Sequence, residues 1–201
     1  MFYTTDTNEH GMRHDPFKAI VAPRPIGWIG TKGRDGSQNL SPYSFFNIVS
    51  DHPKIVMFSS SGRKHSLKNA EDTGQFTASL VSRHLVDQMN ASSAPVDYGV
   101  DEFALSKLTP RMGRVVDAPF VEEAYAALEC RVTQILQPPT LEGGLAESFM
   151  VFGQVVAIHI SEAIIREGRI DMGLARPIAR MGYMDYSDGG ADVFQLRRPN
   201  A

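Results

Sequence analysis

The segment Asn39-Leu40-Ser41-Pro42-Tyr43-Ser44-Phe45-Phe46 places an amide, three hydroxyls and two phenyl rings on a backbone interrupted by proline. A flat heteroaromatic ligand needs this mixture: polar groups to meet ring oxygens and nitrogens, and apolar rings to cover a face. The same residues would also suit a strand end whose Phe45 and Phe46 enter the core. A second segment, Ser60-Ser61-Gly62-Arg63-Lys64-His65-Ser66, joins hydroxyls and two cations to an expected helix start capped by Ser66. Unpaired N–H groups and positive partial charge at a helix start favour phosphate, which Arg63 could grip as a fork and Lys64 as a point charge. Its alternative is a solvated loop before an ordinary cap.

Two further groups carry weaker signals. Arg180 and Tyr183 in Arg176-Pro177-Ile178-Ala179-Arg180-Met181-Gly182-Tyr183 could face an anionic or aromatic group, or simply dock a tail. His159 ends an apolar stretch, where a structural histidine is the plainer reading. His10 and His14 have metal-ligand spacing but sit in a segment, 1–15, expected to be a flexible extension, so no metal site is expected. The single cysteine, Cys130, rules out an intrachain disulfide and lies in an alternating strand, where core packing is expected. No Gly-x-Gly-x-x-Gly, P-loop or Gly-x-Ser-x-Gly elbow is present.

The positioning elements follow from periodicity and punctuation. Strands are expected at 26–31, which ends on Thr31, at 55–59, which ends on Ser59, and at 76–81. The strand that starts at Gln38 is expected to break at Pro42. A helix from Ser66 should end at Gly74, and Leu85 and Met89 suggest another. Long strands are expected at 128–133, by strict alternation, and at 149–160, with an edge hairpin near 164–170. Residues 91–119 read as an irregular excursion. Many strands, few short helices and glycine-rich turns predict a mainly β fold, a β-barrel with short helices, as one domain over 1–201.

Composition narrows the classes. Twenty basic against 23 acidic residues leave a net charge of −3, with no basic excess for nucleic acid. No apolar run is long enough to span a membrane, and the N-terminus lacks a signal-peptide pattern. With one cysteine, a cytoplasmic setting is expected.

The order of these pieces resembles one family. Arg24-Pro25-Ile26-Gly27-Trp28-Ile29-Gly30-Thr31, the 39–46 segment, Lys64-His65-Ser66-Leu67-Lys68-Asn69, Leu128-Glu129-Cys130 and Arg176-Pro177-Ile178-Ala179-Arg180-Met181-Gly182 occur in the sequence of the flavin reductase-like, FMN-binding split-barrel proteins, flavoredoxins included. The resemblance runs from about Arg24 to Tyr186. It departs at His65-Ser66, where the family often has Asp-Thr, and at Tyr183, where a small residue is common.

The resemblance implies a Greek-key split barrel that forms a homodimer, with FMN near the subunit interface. It implies that 39–46 lies along the isoalloxazine ring and that 63–66 meets the phosphate. The implied cofactor-binding residues are Thr31, Asn39, Ser41, Tyr43, Ser44, Phe45 and Phe46, with Ser59, Ser60, Arg63, Lys64 and Ser66. Arg180 is an added candidate. No side chain is assigned as a catalytic acid or base, because the flavin carries the chemistry. The expected activity is hydride transfer from NADH or NADPH to flavin, with electrons passed to a partner monooxygenase or another acceptor. A flavin-binding electron carrier or sensor without nicotinamide turnover is the alternative.

Overall fold

The computed structural model describes residues 1–199. Helix α1 (Phe17–Ile20) and strand β1 (Arg24–Pro25) lead into β2 (Gly27–Lys32), β3 (Gln38–Tyr43), β4 (Phe46–Ser50) and β5 (Ile55–Ser61). Helix α2 (His65–Thr73) and β6 (Gln75–Leu80) follow. Then come helices α3 (Val86–Ala91) and α4 (Glu102–Leu105), and strands β7 (Pro110–Met112) and β8 (Pro119–Val121). The longest strands are β9 (Ala126–Leu136) and β10 (Ser148–Ile160). The hairpin β11 (Ile165–Arg166) and β12 (Arg169–Ile170), helix α5 (Met172–Ala175), and strands β13 (Ile178–Arg180) and β14 (Tyr186–Asp188) come last.

Seven strands form one antiparallel sheet in the order β3-β2-β6-β9-β10-β5-β4, and β1, β13 and β14 form a smaller one. In a flat seven-stranded sheet the edge strands would lie about 29 Å apart. Here β3 at one edge passes directly to β4 at the other through Ser44 and Phe45 alone. That link spans at most about 11 Å. The sheet must therefore curl until its edges meet, which makes the fold a mainly β split barrel with few short helices. The Tyr43 ring on β3 packs at a tilt against Phe58 of β5, with ring centroids 4.9 Å apart. Phe46 lies so close over Gly27 on β2 that a Cβ there would sit 2.4 Å from its ring.

Strand β2 separates two cores. Ile29 faces the barrel interior with Tyr43, Val56, Phe58, Phe76 and Cys130. Its neighbour Trp28, on the opposite face by the strand's period of two, joins Leu85, Met89, Phe103 and Val121 in a second cluster. This explains why β2 is buried almost throughout: both faces are covered. It also explains the excursion, whose residues cap the outer face of the sheet. Trp28 Nε1 donates to Ser92 Oγ at 2.8 Å.

Four local expectations are corrected. Pro42 does not break its strand; it pairs with Trp28, and the missing N–H is tolerated because β3 is an edge. Ser60 and Ser61 belong to β5, where they pair with Phe149 and Ser148, rather than to a loop. Ser66 does not cap α2: Lys64 takes that position with extended backbone and no side-chain cap. The stretch expected to be irregular holds α4, whose start Asp101 caps by accepting from the N–H groups of Phe103 and Ala104. Gly74 ends α2 in the left-handed conformation, as its position predicts.

Candidate functional site

The seam where the barrel edges meet opens as a cleft with two compartments. The larger, about 700 Å³, runs along Ser41, Tyr43, Ser44 and Phe45 and reaches Ser59 and Lys64. The smaller, about 320 Å³, is walled by Asn39, Arg63, Lys64 and Ser66 on one side and by Ser92 to Val96 of the excursion on the other. Ser41, Tyr43, Lys64 and Ser93 line both, so the compartments are continuous. Each volume suits part of an elongated small ligand.

Chain connectivity brings the two sequence segments together. Edge strand β3 supplies Asn39, Ser41 and Tyr43, and the two-residue closure of the barrel supplies Ser44 and Phe45. Strand β5 runs alongside and delivers the start of α2 to the same place, and Ser59 N–H donates to the Phe45 carbonyl at 2.8 Å. Ser66 is wholly buried, and its Oγ donates to Asn39 Oδ1 at 3.0 Å.

Behind this contact runs a polar chain. Tyr98 donates to Asn69 Oδ1 at 3.0 Å, and Asn69 Nδ2 donates to Thr31 Oγ1 at 3.1 Å. Thr31 Oγ1 in turn donates to Asn39 Oδ1 at 3.5 Å. Buried polar groups linked in this way fix side-chain positions. The amide oxygen of Asn39 is thus occupied from within the protein.

Several expected residues therefore stand behind the cleft rather than on it. Thr31 is buried and supports Asn39. Ser60 is buried, and its Oγ donates to the Gly62 carbonyl at 2.9 Å. Phe46 packs against the interior core and borders a neighbouring apolar groove instead. Phe45, by contrast, is 42% exposed and forms part of the cleft wall.

The charges differ in availability. Arg63 pairs with Glu71 at 2.6 Å and lies 5.0 Å over the Phe149 ring. Lys64 takes part in no ion pair among the described residues. The first N–H groups of α2 have no side-chain cap either, so the helix presents orphan donors beside a free ammonium. One carboxylate, Glu102, also borders the smaller compartment, where it accepts from the Leu40 N–H at 3.1 Å. Burial pushes the Tyr43 phenol above its ordinary value, against the pull of the Ser66, Ser60 and Ser41 hydroxyls. The ring therefore stays neutral at physiological pH.

Of the other wall of the larger compartment, sequence reasoning named only Arg180 and Tyr183. Arg24, Lys18, Asn90 and Tyr186 line it, together with Arg180 and Tyr183. Arg24 stands on β1, which pairs with β13 so that Arg24 lies opposite Arg180. Nothing in the spacing of two arginines 156 positions apart announces that pairing, although both fall in motifs of the resemblance. His159 is placed as a structural group: its Nε2 meets buried Glu129 at 2.6 Å. Cys130 is fully buried, and burial raises its thiol far above the ordinary value. Among the described residues no cluster of three or more His, Cys, Asp or Glu could hold a metal. No helix among them is long and apolar enough to cross a membrane.

Comparison with known proteins identifies the family and agrees with the fold. Residues 21–176 match the family described as "Flavin reductase like domain". An uncharacterized protein of Aquifex aeolicus is 32% identical over 169 residues, covering 81% of this chain and 83% of its own. The crystal structure of nitrilotriacetate monooxygenase component B from Bacillus cereus is 28% identical, covers 98% of this chain and 99% of its own, and superposes with a TM-score of 0.85. A split barrel domain protein from Shewanella frigidimarina NCIMB 400 is 23% identical, with full coverage of both chains and a TM-score of 0.82.

Proposed function

The chain belongs to the flavin reductase-like domain family, and from that premise we propose that it is an oxidoreductase that binds FMN and passes hydride from NADH or NADPH to it. The observation that carries the reading is the start of α2 without a side-chain cap, set beside Lys64, which has no ion pair among the described residues, in the compartment continuous with the Ser41 to Phe45 wall. That pairing fits a ligand with one planar end and one phosphate end.

In this reading Lys64 and the free N–H groups of α2 hold the phosphate, with Ser66 fixing the helix start against Asn39. Arg63 adds a second cation at the rim. Ser41, Tyr43, Ser44 and Ser59 border the ring, and the exposed face of Phe45 covers part of it. Thr31 and Ser60 act from behind. When bound, the flavin supplies hydride acceptance and one- or two-electron delivery. The protein's part is orientation: a rigid β wall, a polar network that fixes Asn39, and a neutral Tyr43 that adds no negative charge beside the ring.

Homodimerisation, a cytoplasmic setting and electron delivery to a partner oxygenase belong to the same proposal. The nitrilotriacetate monooxygenase component supports the last of these as a mode of use. The test is a visible spectrum of the purified protein with FMN, followed by anaerobic NADH or NADPH. A perturbed flavin spectrum that bleaches with one nicotinamide is expected. Absence of FMN binding overturns the reading, and binding without bleaching by either nicotinamide leaves an electron carrier.

A further inference from the structure

The larger compartment carries more positive charge than one phosphate ligand needs. Lys18, Arg24, Lys64 and Arg180 line it against a single carboxylate, Asp15, which is itself engaged by the Phe17 N–H at 2.8 Å. None of the four cations forms an ion pair among the described residues.

Arg24 is the unusual member. It is 9% exposed, and its guanidinium is held by backbone carbonyls only: those of Lys18 and Val21, and that of Met181 at 2.6 Å. Its Nε is buried with no partner at all. Arg180, opposite it on β13, donates to the Tyr186 hydroxyl and the Tyr183 carbonyl. Two guanidiniums are thus fixed side by side without an acid between them. Burial, and then the charge of Arg180, hold the Arg24 guanidinium below its ordinary value. The carbonyl acceptors offset part of the cost of this arrangement, and an anion from outside the chain would offset more of it.

The surroundings narrow the class of anion. Phe45, Tyr183 and Tyr186 line the same compartment and are 42%, 48% and 37% exposed. Arg24 itself lies 6.0 Å over the Phe45 ring. Exposed aromatic faces beside fixed cations suit a planar organic anion better than an inorganic one. The smaller compartment has Arg63, shares Lys64 and holds the start of α2, and neither Arg24 nor Arg180 lines it.

We propose that Arg24 and Arg180 form a subsite for the carboxylate or comparable oxyanion of a planar, aromatic substrate, separate from the place of the FMN phosphate. The inference rests on the flavin reading for its meaning, because such a substrate would then lie in the compartment that borders the ring. It makes this enzyme selective for anionic aromatic partners in electron transfer.

The probes are benzoate and its neutral analogue benzamide, titrated by calorimetry into the FMN-loaded protein and, in parallel, into the protein without FMN. Benzoate is expected to bind at least about tenfold more tightly than benzamide, the size of one charge-assisted contact. Arg180→Gln should reduce that ratio to below about threefold. Lys18→Gln, at an exposed position, should reduce it more modestly and serves if the arginine variant does not fold. Equal binding of the two probes, no binding of either, or a benzoate preference that survives both substitutions overturns the proposal. So does ADP-ribose binding that is lost in Arg180→Gln while benzoate shows no preference, for the wall would then serve the dinucleotide donor. If FMN fails to bind, the flavin reading falls, yet the titration without FMN still decides the anion subsite.

Discussion

Ser66 Oγ donates to Asn39 Oδ1 at 3.0 Å, across 27 positions of sequence and in full burial. This one bond ties the first turn of α2 to edge strand β3, and so ties the two compartments of the cleft together. Ser66→Ala leaves the amide oxygen with only the longer Thr31 contact. Unfolding free energy should fall by about 1–2 kcal/mol, read from urea denaturation. A loss of only a few tenths would show that the bond does not contribute to stability.

Removing the phosphate end should separate FMN from its dephosphorylated form. Lys64→Ala combined with Ser66→Ala should weaken FMN by about tenfold or more and riboflavin by far less, because riboflavin lacks the phosphate. Fluorescence titration of both ligands checks it, and equal losses would place the phosphate elsewhere.

Closure of the barrel depends on the absence of a side chain at Gly27. An added Cβ would meet the Phe46 ring at 2.4 Å. Gly27→Ala should cost about 1–3 kcal/mol through overpacking. Phe46→Leu added to Gly27→Ala should recover part of that loss, since the two positions touch and their effects are not additive. Strict additivity in thermal unfolding would contradict the contact.

Glu129 predicts an acid-sensitive step. Burial would raise its carboxyl, but the N–H groups of Arg114, Val115 and Val116, with His159, outweigh burial and hold it near 2, below its ordinary 4.5. A group depressed in the folded state stabilises the fold at pH above its unfolded value. That contribution should fade as pH falls from about 4.5 towards 2. Glu129→Gln should be less stable at pH 7 and should lose this part of the acid slope. An unchanged pH profile of the melting temperature would refute the assignment.

Much of the local architecture was legible before any coordinates. The alternation in Leu128-Glu129-Cys130-Arg131-Val132 marked a half-buried strand; Cys130 is buried and Arg131 exposed accordingly, but Glu129 is buried too, under the N–H groups of Arg114, Val115 and Val116. Gly74 marked the end of α2, and part of the mixed-chemistry segment 39–46 does line a cleft. Where local reading failed, a longer-range context had changed the rule. Pro42 stays in a strand because β3 is an edge, and edge position is a property of the sheet rather than of proline. Ser66 has the composition of a cap, but its hydroxyl is drawn to Asn39 instead.

The sequence by itself determined the mainly β class, the family and the two segments whose chemistry suits a planar ring and a phosphate. Periodicity, turn residues and motif order are local or sequential, so they survive without coordinates. The tertiary structure decided that the segments share one cleft. It did so because Ser44 and Phe45 must join opposite edges of a seven-stranded sheet, which forces the seam. It also decided that Arg24 faces Arg180, through the pairing of β1 with β13. Strand order is set by which faces can be buried together, and no spacing along the chain records it.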